Sequence, residues 1–322
     1  MKVGFIGLGN VGGKLSGSLL RNGIDLMVRD LDRSIAEPFL EKGASWADSP
    51  KEMAEACDVI ITCLPSPAAC SAVMEADDGI LAGLSAGKIW AEMSTTDEEE
   101  VKRIGALVKT TGAEPIECPV SGGCHRAATG NIAIFAGCSR ETFETMLPLL
   151  TTMGRRVLHT GDLGSASVLK VVTNYLASVN LVSCIEAMMT AHKAGMDLNT
   201  TFEAMRISSG NSFVNETESQ VILNGSRDIS FTMDLVVKDM GLFMQVAERS
   251  GVDLDIGPLI LDIFKEGMEK YGPRELSPNI ARRLEDRCDA RLLADGFPPE
   301  MTDDEPEEPG YEVIPKGREA AE

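Results

Sequence analysis

Residues 2–12 read KVGFIGLGNVG and place a glycine-rich turn directly after a short apolar strand. The glycines follow the spacing G-x-G-x-x-G, and residues 11–22 continue with the apolar periodicity of a helix. In dinucleotide-binding folds the first glycine makes the turn, the second admits the pyrophosphate, and the third lets the helix pack closely on the strand. The spacing alone also fits a glycine turn without a ligand, but its place between strand and helix favours a cofactor loop. This loop consists of Gly7, Leu8, Gly9, Asn10, Val11 and Gly12.

A second predicted strand, residues 25–29, ends beside a carboxylate. Asp30 lies 18 residues after Gly12, close to the spacing of the residue that binds the ribose in such folds. A carboxylate there accepts from the 2′-hydroxyl and repels a 2′-phosphate. Arg29 and Arg33 flank Asp30, and either could instead reach a phosphate. We therefore expect NAD to be preferred over NADP.

The first half of the chain alternates short apolar strands with helical stretches. Further strands are predicted at 59–63, 89–93, 114–117, 131–135 and 156–159. Strands that alternate with helices are typical of a mainly parallel, doubly wound sheet. The sequence therefore predicts an α/β Rossmann-type domain over residues 1–164.

The second half has a different residue pattern. Residues 165–194 contain neither proline nor glycine and have helical apolar spacing, which predicts a helix of about 45 Å. Later segments are helical with glycine breaks and almost no strand pattern. We expect an all-α domain over residues 165–295 that begins with a long interdomain helix. Residues 296–322 carry nine acidic and two basic side chains, which predicts a flexible acidic tail that could also drape over the surface or a neighbouring subunit.

The composition excludes several classes of protein. The net charge of −20 opposes binding to nucleic acid and to anionic membranes. Eight cysteines without a C-x-x-C pair and three scattered histidines make a zinc site unexpected. The N-terminus leads straight into a strand, which leaves no room for a signal peptide, and the apolar runs are interrupted short of a membrane span. Reduced thiols then favour a cytoplasmic location.

Two polar residues stand out in the long predicted helix. Lys170 and Asn174 are four residues apart, so they share one face of a helix. Hydride transfer from an alcohol needs a base for the hydroxyl proton, and the reverse reaction needs an acid. Lysine serves both directions when burial lowers its pKa towards neutrality. A surface lysine is the simpler alternative, but the apolar flanks from Val168 to Val172 argue against it.

Two further segments could contribute to the same chemistry. Ser121-Gly122-Gly123 offers a hydroxyl and approachable backbone N–H groups, which suit a carboxylate, although it could be an ordinary glycine turn. His125 and Arg126 follow and could pair with substrate charge, but structural or solvated roles are simpler. Lys238-Asp239 is either a solvated ion pair or supplies a lysine to the cofactor cleft.

In this order, the four motifs resemble those of the β-hydroxyacid dehydrogenase family, over about residues 1–290. The resemblance implies that Lys170 is the general acid/base and that Ser121, Gly122, Gly123 and Asn174 bind substrate. It also implies cofactor contacts from Leu64, Pro65, Thr95 and Lys238. Ala166 stands where the family usually has a second glycine, and the segment from Ser94 to Glu98 lacks the family's proline. The larger 6-phosphogluconate dehydrogenases are disfavoured because Thr173 stands where their pattern has histidine.

The expected function is therefore an NAD-dependent oxidoreductase acting on a small, anionic, 3-hydroxyisobutyrate-like β-hydroxy acid to give a semialdehyde or keto acid. The alternatives are a reductase of a small semialdehyde or glyoxylate-type carbonyl acid and, from another class, a non-catalytic cofactor-binding scaffold. An imine reductase is disfavoured because Lys170 is the alcohol-type residue of this scaffold. The resemblance also implies a homodimer or homotetramer.

Overall fold

The structure is a computed structural model of the chain, and it describes residues 1–317. The chain divides into two compact units, one formed by Met1–Lys170 with the chain from Asp303 onwards, the other by Val171–Thr302. The boundaries expected from the sequence, 164/165 and 295/296, fall several residues before these divisions. Residues 318–322 of the predicted tail lie outside the described residues.

The first unit is built on one ten-stranded sheet. Its order is β10-β9-β8-β6-β5-β4-β1-β2-β3, with β7 paired to β8. All pairs are parallel except β6–β8 and β7–β8. The strands are β1 Lys2–Ile6, β2 Asp25–Arg29, β3 Ser45–Trp46, β4 Val59–Thr62, β5 Ile89–Glu92, β6 Glu114–Glu117, β7 Val120–Ser121, β8 Ala133–Gly137, β9 Arg156–Gly161 and β10 Tyr311–Glu312. This confirms the mainly parallel sheet, while the two-residue strands β3, β7 and β10 were not predicted.

Seven helices of this unit connect the strands. They are α1 Gly12–Arg21, α2 Glu37–Leu40, α3 Pro50–Ala56, α4 Pro67–Glu75, α5 Glu98–Thr110, α6 Gly123–Thr129 and α7 Arg140–Leu150. Side-chain caps are found at the starts of α3, α4, α5 and α7. Ser49 accepts a hydrogen bond from the Glu52 N–H at 3.0 Å, and Asp97 accepts from the N–H groups of Glu99 and Glu100. Such caps satisfy N–H groups that the helix itself cannot pair.

Two apolar clusters, one on each face, hold the sheet between its helices. The largest buried side chains include Phe5, Trp90 and Phe143. Each buried aromatic or aliphatic side chain contributes about 1.5–3 kcal/mol relative to leaving it in water. The sheet is therefore a rigid support for the loops at its edge.

The strand order determines where those loops meet. Strands β6, β5, β4, β1 and β2 are consecutive neighbours and all parallel, so their carboxyl ends lie along one edge. Ligands of doubly wound sheets bind at that edge, where the chain order reverses direction. Here the reversal lies between β1 and β4.

The second unit is helical. Helix α8, Ser165–Lys193, begins in the first unit and continues here; it is followed by α9 Leu198–Arg206, α10 Phe213–Asn224, α11 Met233–Arg249, α12 Gly257–Tyr271 and α13 Arg282–Cys288. Residues 171–302 contain no strand, only an isolated bridge between Thr232 and Leu276. The core includes Met188, Met233 and Met240, consistent with methionine filling irregular gaps between helices.

Helix α8 corrects one expectation from the sequence. By length and composition alone it could cross a membrane, so the apolar runs are not all too short for a span. A single such helix is weak evidence for a membrane segment, because the central helix of a helical core meets the same criteria. Leu181, Ile185 and Met188 of α8 belong to the core of the second unit, which accounts for the apolar character of this part of the helix.

The acidic segment contacts the first unit over much of its length. Residues 311–312 pair with β9, and the segment's carboxylates form ion pairs with arginines of the first unit. Residues 303–312 therefore have the surface-draped form that the sequence left open for this tail. The segment binds there because its carboxylates pair with arginines of the first unit and because β9 offers an open sheet edge.

Candidate active site

The glycine loop after β1 has the geometry that its spacing predicts. Gly7 has a φ of +98°, and a side chain there would collide with the Cys63 carbonyl. A side chain at Gly12 would collide with the Gly7 carbonyl. A Cβ at Gly9 would meet nothing within 4 Å, so the space over its backbone is open to a ligand. Close packing therefore requires glycine at positions 7 and 12. Glycine at position 9 leaves the backbone accessible to a ligand.

The other residues of the loop differ in how far they are buried. Leu8 is buried in the core, Val11 packs against the same cluster, and Asn10 is exposed. Helix α1 begins at Gly12, directly after the loop, and the positive end of its dipole faces that loop. Such a helix start favours a phosphate group.

Asp30 joins the end of β2 to the glycine loop. Its carboxylate accepts a hydrogen bond from the Leu8 N–H at 2.7 Å and a longer one from the Asp32 N–H at 3.3 Å. The Arg29 guanidinium donates to the carbonyls of Ala47 and Asp48. The Arg33 guanidinium lies 5.2 Å from the centre of the Trp46 ring. The structure therefore brings Asp30 to the loop, with both neighbouring arginines in other contacts.

The loops after β4 and β5 lie side by side. The Leu64 N–H donates to the Ser94 hydroxyl at 2.7 Å, which ties Leu64 and Pro65 to the segment that carries Thr95. Leu64 and Thr95 are partly buried and Pro65 is exposed. The three residues predicted to contact the cofactor therefore flank the glycine loop along the same sheet edge.

A buried carboxylate supports these loops. Glu92 accepts hydrogen bonds from the Thr62 hydroxyl at 2.9 Å, the Ser94 N–H at 2.7 Å and the Cys70 thiol at 2.6 Å. Burial raises the pKa of Glu92, although its hydrogen bonds act in the opposite sense. Because its donors come from three different segments, Glu92 fixes the relative positions of the β4 and β5 loops.

The Ser121-Gly122-Gly123 loop joins β7 to α6. Ser121 pairs with Ala133 of β8, and Gly122 and Gly123 have φ values of 128° and 87°. These left-handed conformations are accessible to glycine at little cost. The loop follows β6 and therefore lies at the same edge as the cofactor loop.

A second buried carboxylate, Glu117 at the end of β6, holds the start of α8. Glu117 accepts from the N–H groups of Gly164 at 2.5 Å, Ala166 at 2.8 Å and Ser167 at 3.1 Å, and from the Ser167 hydroxyl. Burial raises the pKa of Glu117, while these hydrogen bonds oppose the shift. A Cβ at Gly137 would overlap the Glu117 carboxylate, so a glycine is required beside it.

Lys170 lies on α8, three residues after the last of these contacts. Its side chain is 8% exposed, and its neighbour Val171 is buried. The surface-lysine alternative is therefore wrong. Asn174 follows one helical turn later on the same helix.

Within the second unit, Asn174 and Lys238 meet through Asp239. The Asn174 amide donates to one carboxylate oxygen of Asp239 at 2.5 Å, and the Lys238 ammonium lies 2.7 Å from the other. Asp239 is only 3% exposed, so the pair Lys238–Asp239 is not a solvated ion pair. Asp239 thus links two residues that the sequence predicted separately.

Arg126 has a structural role. It forms ion pairs with Asp303 and Glu305 of the acidic segment. His125 is half-buried, and burial together with the nearby Arg126 lowers its pKa. Among the described residues, no group of His, Cys, Asp and Glu side chains could hold a metal ion.

Sequence reasoning did not identify the roles of Glu92, Glu117 and Asp239. A glutamate at the carboxyl end of a predicted strand was the available signal for the first two, since burial at that position requires hydrogen-bond donors. For Asp239 the signal was its place within the apolar periodicity of its helix.

Comparison with known families gives two matches that cover most of the chain. The NAD-binding domain of 6-phosphogluconate dehydrogenase matches residues 2–161. The NAD-binding region of NADP-dependent 3-hydroxyisobutyrate dehydrogenase matches residues 164–284. The two matches divide the chain close to the start of α8.

Individual relatives agree with these matches. The chain is 31% identical to 2-(hydroxymethyl)glutarate dehydrogenase of Eubacterium barkeri over 83% of this chain and 89% of the relative. It is 32% identical to NAD-dependent L-serine dehydrogenase of Pseudomonas aeruginosa over 88% of this chain and 98% of the relative. The crystal structure of 3-hydroxyisobutyrate dehydrogenase from Salmonella typhimurium superposes with a TM-score of 0.81 at 26% identity, covering 88% of this chain and 99% of that one.

Proposed function

This chain belongs to the β-hydroxyacid dehydrogenase family and is an NAD(P)-dependent oxidoreductase, and we propose that it oxidises a small 3-hydroxyisobutyrate-like β-hydroxy acid with Lys170 as general acid/base. The observation that carries the proposal is the placement of Lys170. It is a buried lysine on a helix whose start is fixed by four hydrogen bonds to Glu117.

The nucleotide site fits a dinucleotide. The open space over Gly9, the tight packing at Gly7 and Gly12, and the helix start at α1 together form a cradle for a pyrophosphate. When bound, the nicotinamide accepts or returns the hydride. Leu64, Pro65 and Thr95 would border it, and Lys238 keeps the cofactor role that the family resemblance implies.

The remaining chemistry is a proton transfer and substrate positioning. In the oxidation direction Lys170 would accept the proton of the substrate hydroxyl, and in reduction it would donate one to the carbonyl oxygen. Asn174 would hold the same hydroxyl. Its amide N–H₂ also donates to Asp239, which fixes the orientation of the amide.

Two considerations support a small anionic substrate. The Ser121 hydroxyl and the glycine backbone after it suit a carboxylate. Both L-serine and 2-(hydroxymethyl)glutarate, the substrates named for two relatives, carry a hydroxyl on the carbon β to a carboxylate. The shared β-hydroxy acid unit is the substrate class we propose for this chain.

The preference for NAD over NADP is also a proposal. Asp30 supports it, because a carboxylate at the end of β2 accepts from a ribose hydroxyl and repels a phosphate. Relatives differ in this respect, since one is named NAD-dependent and one matched family NADP-dependent. Parallel assays with each cofactor decide the point.

We further propose a cytoplasmic homodimer or homotetramer with no nucleic-acid or membrane partner. Eight free thiols support a reducing compartment, and the net charge of −20 opposes polyanion binding. Exposed apolar side chains on the second unit, including Met196, Ile207 and Leu259, support self-association. Light scattering coupled to gel filtration measures the oligomeric state directly.

The experiment that tests the function is a set of initial rates of NADH or NADPH formation. The substrates are 3-hydroxyisobutyrate, 3-hydroxypropionate, serine, glycerate, threonate and 4-hydroxybutyrate, with the corresponding semialdehydes in the reverse direction. Turnover of a β-hydroxy acid is the expected result. Turnover of carbonyl substrates alone would favour the reductase alternative, and no turnover despite NADH binding would favour the scaffold.

A further inference from the structure

The acidic segment Asp303–Glu312, hereafter the strap, is held on the first unit by both backbone and side chains. The Tyr311 N–H donates to the Arg155 carbonyl at 2.9 Å, and the Val313 N–H donates to the Val157 carbonyl at 2.8 Å. The strap thereby covers β9, which would otherwise be the exposed edge of the sheet. Both family matches end by residue 284, so the strap lies beyond them.

Ion pairs fasten the strap along its length, and each involves an arginine of the first unit. They are Arg126 with Asp303 and Glu305, Arg156 with Glu305, Arg21 with Glu307, Arg155 with Glu308, and Arg140 with Glu312. Most of these side chains are partly exposed, and a single exposed ion pair contributes little to the stability of the fold. The exception is Asp303, whose side chain is 2% exposed.

Asp303 closes the end of the helix that starts at the substrate loop. Its carboxylate accepts from the Thr129 hydroxyl and from the Asn131 amide at 2.7 Å. Asn131 also donates to the Glu305 carbonyl at 2.8 Å. Thr129 is the last residue of α6, and Asn131 lies between α6 and β8.

The geometry of α6 connects these contacts to the substrate loop. The helix has seven residues, about 10 Å in length, and its first residue is Gly123. β8, which follows Asn131, pairs with Ser121. One carboxylate therefore contacts both the end of α6 and the segment that leads into β8, the strand that pairs with Ser121.

We propose that the strap positions the substrate loop, and that Asp303 is the positioning residue through which it acts. The proposal rests on the proposed function only in taking residues 121–123 as the substrate loop. Without the Asp303 carboxylate, Thr129 and Asn131 lose a buried acceptor, and α6 together with its glycine-rich start becomes free to shift. Substrate binding then weakens, while the nucleotide loop keeps the hydrogen bonds of its Gly7 and Leu8 N–H groups to the Arg29 carbonyl and the Asp30 carboxylate.

The test compares Asp303→Asn with Glu308→Gln. Glu308 pairs with Arg155, the residue before β9, and is half-exposed, so this matched variant removes a strap charge without touching α6. Hydrogen exchange of the peptide that covers residues 121–133 is measured first. We expect exchange at least about tenfold faster in Asp303→Asn, equivalent to about 1.4 kcal/mol of lost protection, and unchanged exchange in Glu308→Gln.

Kinetics provide the second measurement. In Asp303→Asn we expect KM for the hydroxy acid to rise about tenfold, with the Kd for NADH unchanged, and Asp303→Glu to restore part of the loss. Unaltered exchange in residues 121–133 would overturn the proposal whether or not a substrate is known. Faster exchange with an unaltered KM would overturn the link to substrate. Failure of the wild-type chain to turn over any substrate contradicts the proposed function, and the exchange data still decide the role of the strap.

Discussion

Asn174 and Asp239 form a partly buried hydrogen bond of 2.5 Å that fixes the orientation of the Asn174 amide. Because the Asp239 carboxylate accepts from the amide N–H₂, the carbonyl oxygen of Asn174 faces away from it. Lys238 completes the arrangement through its ion pair with the same carboxylate. A motif that in sequence resembles a surface ion pair is therefore the partner of the proposed substrate-binding asparagine.

Replacing Asp239 with Asn tests this arrangement. The variant leaves the Asn174 amide and the Lys238 ammonium without a charged acceptor, which we expect to lower the free energy of unfolding by about 1–3 kcal/mol. We also expect kcat/KM to fall about tenfold, since about 1.4 kcal/mol of positioning is lost. Urea unfolding and steady-state kinetics measure both effects. Glu248→Gln, at an exposed site on the same helix, is the control; an Asp239→Asn variant that matches it would contradict the account.

Glu117 provides a second test, at the start of α8. Glu117→Ala removes the acceptor of four hydrogen bonds, and we expect a loss of about 3–5 kcal/mol in the free energy of unfolding. Glu117→Asp keeps the charge on a shorter side chain, so its loss should be smaller. Chemical denaturation measures the difference, with Glu114→Gln at the exposed start of the same strand as control. Equal stability of Glu117→Ala and the control would show that the helix start does not depend on this carboxylate.

Asp30 tests the cofactor preference. We expect Asp30→Ala to lower the ratio of kcat/KM for NAD to that for NADP by about tenfold, because a hydrogen bond to a charged acceptor worth about 1.5–3 kcal/mol is lost with NAD. The Asp30 carboxylate also holds the Leu8 N–H, so both cofactors should bind somewhat less tightly. Asp32→Ala, two residues further on, is the matched control. An unchanged ratio in Asp30→Ala would assign ribose recognition to another group.

The strap makes stability depend on pH in a defined direction. Burial would raise the pKa of Asp303, but hydrogen bonds from Thr129 and Asn131 and the charge of Arg126 leave it below its usual value. A carboxyl whose folded pKa is lowered stabilises the fold above its unfolded pKa of about 4, and this contribution disappears as the pH falls through the folded value. The difference in Tm between wild type and Asp303→Asn should therefore be full at pH 7 and shrink as the pH falls below about 4. A difference that grows on acidification would contradict the assigned ionisation.

The sequence predicted those features that local patterns determine. The strand before Gly7, the helix from Ser165 and the burial of Lys170 all follow from apolar runs and their periodicity. The supporting carboxylates could not be predicted, because their partners are distant in sequence. Glu117 lies 47–50 residues before the N–H groups that it accepts from, and Asp303 lies 174 residues after Thr129. For the strap, composition indicated flexibility, whereas the tertiary fold supplied the arginines that bind it.

The most direct test of the central claim is Lys170→Ala, assayed for NADH formation with the best substrate and, separately, for NADH binding. We predict a fall in kcat of at least about 10²-fold, the lower end of general acid–base contributions, with NADH binding unchanged. Lys109→Ala, at an exposed lysine of α5, should retain full activity. Turnover of Lys170→Ala at the wild-type rate would contradict the assignment of Lys170 as the general acid/base.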